Sequence, residues 1–533
     1  VLFFVQLPIW KLLSSPLFSE GGLSAVVWRW RILRLAFLWW NRAALVPLSA
    51  YAVLWCAARL FRSLPADRPA LAKKSLRPDA SLWILFVCAF LCLVSTVPSV
   101  FDPDADTLWH GSVTGIWSDW HLVTYRFFIR LCSMLHYSRF TVTLVQACLF
   151  LAAAADAARY LDGIGKGASR MFIGMLLLFF TPVFMLQELN KDVPFAAALL
   201  GLTVSLLRMI RGERGAGVFV RFGLYGYIVL SFRHAGILPL LGAFAPAALF
   251  ALRRNHGLWK GLLLSFGSAC VLYVLIAKVL AFGVLHAIPN PGYIKYGTPM
   301  QAIASVADKK GRDAFREEEI ALMEEIMPFE KWAACFTKYY PGTISRAYSL
   351  IGEDVYKVEE KGIGPKLTLL SVKLMLRCPS AAAATVFDNA SILWALAWPE
   401  DQGEAPYNGD AGAVTDMQSY TGAAAFTFPV SHLMHETPVL RSVTSRGGAA
   451  TFLLLFSAYT LIRRRRPEAW AFLPAALLFA GLFITVPSPS TRYVLPFMEL
   501  AALFLPLALR LPPSGKADGG SEDVRPRERS RHA

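Results

Sequence analysis

Between Lys260 and Lys278 the chain carries no charged residue; positions 261–277 read GLLLSFGSACVLYVLIA. Positions 81–100, SLWILFVCAFLCLVSTVPSV, are equally uncharged. A helix needs about 20 predominantly apolar residues to cross the hydrocarbon core of a bilayer. Inside lipid every backbone polar group must also be satisfied within the spanning segment. Blocks of this kind recur along the sequence, so the pattern predicts an all-α polytopic membrane protein. Composition agrees: hydrophobic residues make up 56 % and charged residues 17 %, where an ordinary soluble domain carries about 25 %.

Length and apolarity predict spans near 43–62, 80–99, 139–158, 170–188, 193–210, 217–232, 236–252, 260–286, 447–462, 468–486 and 492–510. WRWRILRLAFLWW, within the first 40 residues, reads either as an interfacial helix or as part of a further span. The expected total is therefore about 11–13 spans. The opening VLFFVQLPIWKLL lacks a basic n-region and a small-residue cleavage site, so it is not read as a signal peptide. The segment HLVTYRFFIRLCSMLH (121–136) is apolar but contains Arg126 and Arg130. A central Arg costs about 2.5–3.5 kcal/mol on insertion scales, so this segment is expected to lie in the interface or re-enter.

The net charge of +16 does not indicate nucleic-acid binding. The Lys and Arg residues cluster in short loops between apolar blocks, as positive-inside topology requires. RSLPADRPALAKKSLRP (62–78), RYLDGIGKGASR (159–170), RMIRGERG (208–215), RRNHGLWK (253–260) and RRRR (463–466) are expected on the cytoplasmic side. With 121–136 not spanning, all five loops fall on the same face. The expected organisation has five parts. Residues 1–79 form a membrane-associated start with one span, and 80–286 a transmembrane core whose first outer loop is 100–138. Residues 287–446 form a mixed outer region, 447–510 the last spans, and 511–533 a cytoplasmic tail of disordered composition. DKKGRDAFREEEIALMEEIMPFEKW (308–332) reads as one solvated amphipathic helix with Ile320, Leu322, Met323 and Ile326 apolar. The eight cysteines contain no CxxC pair, and Cys335 and Cys378 share the outer region, where a disulfide between them is an even expectation.

The outer face collects the ionisable residues that topology does not require. FDPDADTLWHG (101–111) places Asp102, Asp104 and Asp106 directly after an apolar block. Carboxylates there can take a proton from an acceptor hydroxyl or hold a divalent cation; alternatively they cap a helix in water. Glu188, Lys191 and Asp192 occupy the tight turn between two spans. Asp192 is the candidate second acid and Lys191 a candidate phosphate ligand, because ionisable groups near the bilayer tend to be functional. Arg233 and His234 lie in the next outer turn, and Arg492 and Tyr493 at the entrance to the last span. Arginines on the face opposite to the topological bias suit an anionic partner, whereas Tyr493 also reads as an aromatic-belt residue. His121 in WSDWH is placed to orient a substrate or to serve structure. Lys278 either snorkels or faces a cavity.

Taken in order, this layout resembles the GT-C fold of integral-membrane glycosyltransferases. DTLWHG is similar to the first-loop acidic motif of protein mannosyltransferases and aminoarabinose transferases, with Thr107 standing where those families carry a second acid. WSDWH, ELNKDVPFA, FRHAG and PSTRYVLP, together with TPMQAIASVADKKGRDAFREEEIALMEEIMPFEKW, look like a bacterial multi-pass family of GT-C-like architecture over roughly residues 80–510. The resemblance implies a multi-pass protein of the cytoplasmic membrane with its site on the extracytoplasmic face. The implied activity is sugar transfer from a polyprenyl-phosphate-linked donor lying among membrane lipids to an acceptor of unspecified kind. Asp106 is then the general base, flanked by Asp104. Asp192 helps hold a divalent cation (Mg or Mn) with Asp106, or positions the base. Arg233 and Arg492 neutralise the leaving phosphate, and Lys191, His121, His234 and Tyr493 line the substrate site. Three other functions use the same features: a transporter or flippase of lipid-linked saccharides, a ligase or polymerase of surface glycans, and a non-catalytic scaffold.

Overall fold

The computed structural model describes residues 80–97, 103–119, 121–165, 167–254, 256–289, 296–335, 357–394, 447–486 and 491–511, with a few isolated positions between. The expected span at 43–62, everything before it, the basic loop 62–78, Asp102 and the tail beyond Leu511 lie outside the described residues.

The described chain is helical. α1 (Ala80–Ser95) ends in the strand Thr96–Val97, which pairs antiparallel with Ser419–Tyr420. α2 (Pro103–Thr114) and α3 (Val123–Leu135) form the loop after it. A helical series follows: α4 (Arg139–Asp162), α5 (Ala168–Phe179), α6 (Thr181–Phe184), α7 (Asp192–Ile210), α8 (Ala216–Phe232), α9 (Ile237–Arg254) and α10 (His256–Val274). α10 continues as a π-helix over Leu275–Val284. A second group contains α11 (Gly297–Lys310), α12 (Glu317–Glu324), α13 (Phe329–Cys335), α14 (Lys357–Glu360), α15 (Gly364–Arg377), α16 (Pro379–Asn389) and α17 (Ser391–Trp394). The last helices are α18 (Gly447–Arg463), α19 (Leu473–Thr485) and α20 (Leu495–Arg510).

Among the described residues, five segments are long and apolar enough to cross a membrane: Arg139–Asp162, Asp192–Ile210, His234–Arg253, Leu258–Val284 and Pro467–Thr485. The chain is a multi-pass membrane protein. Of the expected total of about 11–13 spans, helix length alone supports five among the described residues, or six if the bent pair at Phe180 is one span. α1, α8 and α18 are apolar but only 16 or 17 residues long, which at 1.5 Å per residue falls short of the roughly 30 Å core. The expected span at 170–188 is not continuous, because α5 and the segment Thr181–Gln187 meet at 73°. Pro182 cannot donate to the preceding turn and its ring crowds it, and Phe180 at the break adopts a positive φ of 58°.

α7 is the centre of the bundle: 94 % of its apolar window is buried, and it packs against α4, α8, α9 and α20. Its apolar surround continues into one large core that joins α1 to α10 with α18 to α20. Small residues allow close approach in such bundles. A Cβ at Gly242 of α9 would lie 2.8 Å from the Pro474 main chain of α19.

The basic loops after α4 and α7 meet the one before α19 at one end of the bundle. Arg208 pairs with Asp156 at 2.9 Å and with Glu213 at 3.3 Å, and Arg211 pairs with Glu468 at 3.2 Å. Arg466 reaches the same Glu468, and Arg464 donates to the Ala508 and Leu511 carbonyls at the end of α20. α7 carries Asp192 to the opposite end, about 28 Å away for a 19-residue helix.

Residues 296–332 and 358–382 build a second core around Ile303, Val306, Ile320, Met323, Trp332, Leu367, Leu370 and Leu374. The single helix expected over 308–332 is interrupted. α11 stops at Gly311, whose φ of +70° ends a helix without the Cβ penalty other residues meet, and a short 3-10 turn separates it from α12. The apolar expectation itself holds for Ile320, Met323 and Ile326, which are buried, while Leu322 packs at the edge. Cys378 is a free thiol at the margin of this core, and the side chain of Cys335, its expected partner, lies outside the described residues.

Candidate functional site

Three helix ends converge on Asp192. It is the first residue of α7, where the helix dipole favours a negative group, and its own N–H donates to Asn190 Oδ1 at 3.0 Å. Arg233 ends α8 in extended conformation, and the turn His234–Gly236 follows it. That turn needs a glycine: a Cβ at Gly236 would lie 1.9 Å from the Val229 carbonyl oxygen. Arg492 sits in the 3-10 turn Thr491–Tyr493 that leads into α20.

Asp192 is 1 % exposed. Its Oδ1 lies 3.3 Å from Arg233 Nη1 and its Oδ2 lies 3.9 Å from Arg492 Nε. The contact is one of charge: neither carboxylate oxygen makes a hydrogen bond, and neither does Arg233 Nη1. The Tyr493 ring serves both guanidiniums, with Arg233 Cζ 4.7 Å and Arg492 Cζ 5.4 Å from its centroid. Tyr493 is therefore part of the cationic cluster and not simply an aromatic-belt residue.

The loop between α2 and α3 closes one side. It is pinned by two main-chain hydrogen bonds, Asp119 N–H to the Ile288 carbonyl and Ile288 N–H to the Trp117 carbonyl, both 2.9 Å. Thr124 of α3 donates to the Ser231 carbonyl of α8, two residues before Arg233. His121, which is buried, thereby comes to 3.0 Å from Lys191 Nζ through Nδ1. The exposed His234 ring hydrogen-bonds to the Asp119 main chain, with the Asp119 carboxylate, Lys191 and Lys278 around it. Lys278, from the π-helix, also lies 5.3 Å over the Phe282 ring. Lys191, Arg233, Lys278 and Arg492 thus gather around the carboxylates of Asp119 and Asp192.

Asp106 belongs to a different contact set. It pairs with Arg139 at the start of α4 and lies 3.5 Å from His110 Nε2 on its own helix; its side chain is 35 % exposed. Arg139 packs over the Trp109 ring at 6.0 Å. Asp104 is in the first turn of α2, and its side chain is outside the described residues. The two arginines of the non-spanning segment 121–136 bind main-chain carbonyls next to this helix. Arg126 donates to Ile116 at 3.2 Å and Arg130 to Val113 at 2.7 Å, so neither charge is spent on lipid.

Among the described residues no three or more His, Cys, Asp or Glu side chains converge, and Asp192, one of the two expected cation ligands, is flanked by two guanidiniums. The cluster is a buried carboxylate that holds two guanidiniums at one end of the bundle.

Asp119 and Lys278 are the members that sequence reasoning did not single out as site residues. Asp119 stands inside the quoted WSDWH motif, and a buried acid between two tryptophans was the available signal. Lys278 was visible as an unexplained charge in an apolar block, but nothing in the sequence placed it beside His234.

No protein-family model matches the chain, and no curated protein matches it. Among solved structures it is similar to ArnT from Cupriavidus metallidurans, solved bound to undecaprenyl phosphate, at 14 % identity over 79 % of this chain and 77 % of that one, with a TM-score of 0.31. A likeness of that size assigns no residue.

Proposed function

We propose that the chain is a membrane glycosyltransferase that moves a sugar from a polyprenyl-phosphate-linked donor to an acceptor at the outer face of the cytoplasmic membrane. The observation that carries this reading is the state of Arg233. Its guanidinium is buried and held by Asp192 across 3.3 Å, yet Nη1 makes no hydrogen bond. A buried donor of this kind wants an acceptor, and a phosphate oxygen supplies one in the fork geometry that guanidinium favours. The excess of basic over acidic groups around it, at one end of a helix bundle, suits an anionic headgroup whose lipid chain stays in the bilayer.

In this reading an acceptor hydroxyl attacks the anomeric carbon. The new carbon–oxygen bond forms as the bond to the donor phosphate breaks, and the phosphate leaves with the electron pair. Arg233 and Arg492 stabilise the charge that develops on it, with Lys191 and Lys278 adding to the field. The acceptor proton passes to a carboxylate. Asp106 is the first candidate; Asp119 beside His234 is the second, favoured by its place among the phosphate-binding groups. Asp192 is given the holding role, because Arg233 and Arg492 stand against its two carboxylate oxygens at 3.3 and 3.9 Å. No step is routed through a metal ion.

The test is direct binding. Purified protein is titrated with polyprenyl phosphate and with the uncharged polyprenol of equal length. The reading expects tighter binding of the phosphate, weakening as salt rises. Equal affinity for the two lipids would remove it.

A further inference from the structure

We propose that the outward face of α15 is a membrane-surface anchor that docks the 297–394 unit onto anionic phospholipid headgroups. The helix reads GPKLTLLSVKLMLR. Gly364, Leu367, Leu370, Ser371 and Leu374 are buried in the second core. At 100° per residue, Leu369, Val372 and Leu376 fall on the opposite side. They are 56 %, 47 % and 82 % exposed. Scattered exposed apolar residues are ordinary, but a stripe opposite a helix's own core face is where a water-facing helix carries polar groups.

The charge of α15 selects the occupant. It contains Lys366, Lys373 and Arg377 and no acid. Lys366 and Lys373 are exposed along one flank of the apolar stripe. An apolar face bordered by lysines is the composition of helices that lie at the boundary of headgroups and acyl chains, and a negative lipid surface attracts such lysines.

Placement agrees with the chemistry. α16, packed beside α15, touches α19 through Phe387 and Phe483, with ring centroids 5.2 Å apart. α17 accepts a hydrogen bond from Thr451 of α18 at the Leu393 carbonyl, 2.6 Å. Both contacts are at the Asp192 end of the bundle. Ile484, next to Phe483, is 63 % exposed, as a residue facing lipid would be. The second core therefore sits where the bundle meets the bilayer surface. This inference does not depend on the transferase reading.

The test uses full-length protein with its native cysteines replaced and Leu376→Cys carrying an environment-sensitive fluorophore. It is reconstituted in nanodiscs of phosphatidylcholine alone or of an equal mixture with phosphatidylglycerol. Glu360→Cys is the water-facing control. The expected result is several-fold stronger quenching by a doxyl-labelled lipid than by aqueous iodide at position 376, the reverse at 360, and a further gain with phosphatidylglycerol. Lys366→Glu with Lys373→Glu should remove that gain, at about fivefold per lysine near a charged surface. Dominant iodide quenching would show a solvated face and overturn the proposal. So would shielding from both quenchers, which means cover by protein, or a signal that changes with protein-to-disc ratio, which means a second copy.

Discussion

Asp192 Oδ1 lies 3.3 Å from Arg233 Nη1, and both side chains are almost completely removed from solvent. Breaking a buried pair by removing one partner costs roughly 3–5 kcal/mol, because the other charge is left without compensation. Asp192→Asn is therefore predicted to destabilise the protein by about 3 kcal/mol, read as a lowered thermal midpoint in detergent. Asp192→Asn with Arg233→Gln should recover part of the loss. Additive effects in that double variant would mean that the two residues do not interact.

Arg233 and Arg492 are predicted to carry phosphate affinity. A hydrogen bond to a charged group contributes about 1.5–3 kcal/mol, so Arg233→Gln should weaken polyprenyl phosphate binding by roughly 10–150-fold. Arg233→Lys should recover only part of it, because ammonium cannot make the forked contact. Titration of purified variants measures both. Unchanged affinity in Arg233→Gln would place the phosphate elsewhere.

Asp106 and Asp119 compete for the role of proton acceptor, and their surroundings separate them. General-base catalysis contributes about 10²–10⁴-fold. The residue that takes the proton should lose that much sugar transfer as the Asn variant while keeping polyprenyl phosphate binding. Asp106 also holds Arg139, so Asp106→Asn is predicted to lower thermal stability slightly as well. Single-turnover transfer in membranes from variant strains distinguishes the two. Full activity in both variants would exclude both carboxylates.

Glu319 accepts two hydrogen bonds from Arg377, each 2.8 Å, tying α12 to α15. The Arg377 hydrogen bonds hold the Glu319 carboxyl below its ordinary value, against the opposing effect of burial. A lowered folded-state value means that the stabilisation is fully present above the unfolded carboxylate range, near 4.3, and is lost as pH falls through the folded value. Hydrogen exchange in residues 317–324 and 364–377 should therefore accelerate below about pH 4.3. In Arg377→Gln that pH step should shrink and protection should already be lower at neutral pH, by about 1 kcal/mol for a partly exposed pair.

The membrane class and most helices were legible because uncharged blocks of spanning length have one stable solution in lipid. The non-spanning nature of 121–136 was legible from Arg126 and Arg130. What they bind was not, because Ile116 and Val113 offer main-chain carbonyls that any sequence would offer. The bend at Phe180 was hidden because a proline near the middle of an apolar block is also tolerated in continuous spans. Lys191, Asp192, Arg233, Arg492 and Tyr493 stood out one by one as charges or rings at span ends. That they form one cluster depends on which helices are neighbours, and no local pattern encodes that. Asp106 illustrates the converse: it closes the most acidic stretch of the first loop, yet it contacts Arg139 and His110 and not the arginines that hold Asp192.

The most direct measurement compares lipid extracts from a deletion strain, the wild type and a strain carrying Arg233→Gln. A transferase that fails leaves its donor unused. The account predicts that a polyprenyl-phosphate-linked sugar accumulates in the deletion strain and in Arg233→Gln, and returns to the wild-type level on complementation. A lipid profile unchanged by deletion would contradict the proposed function.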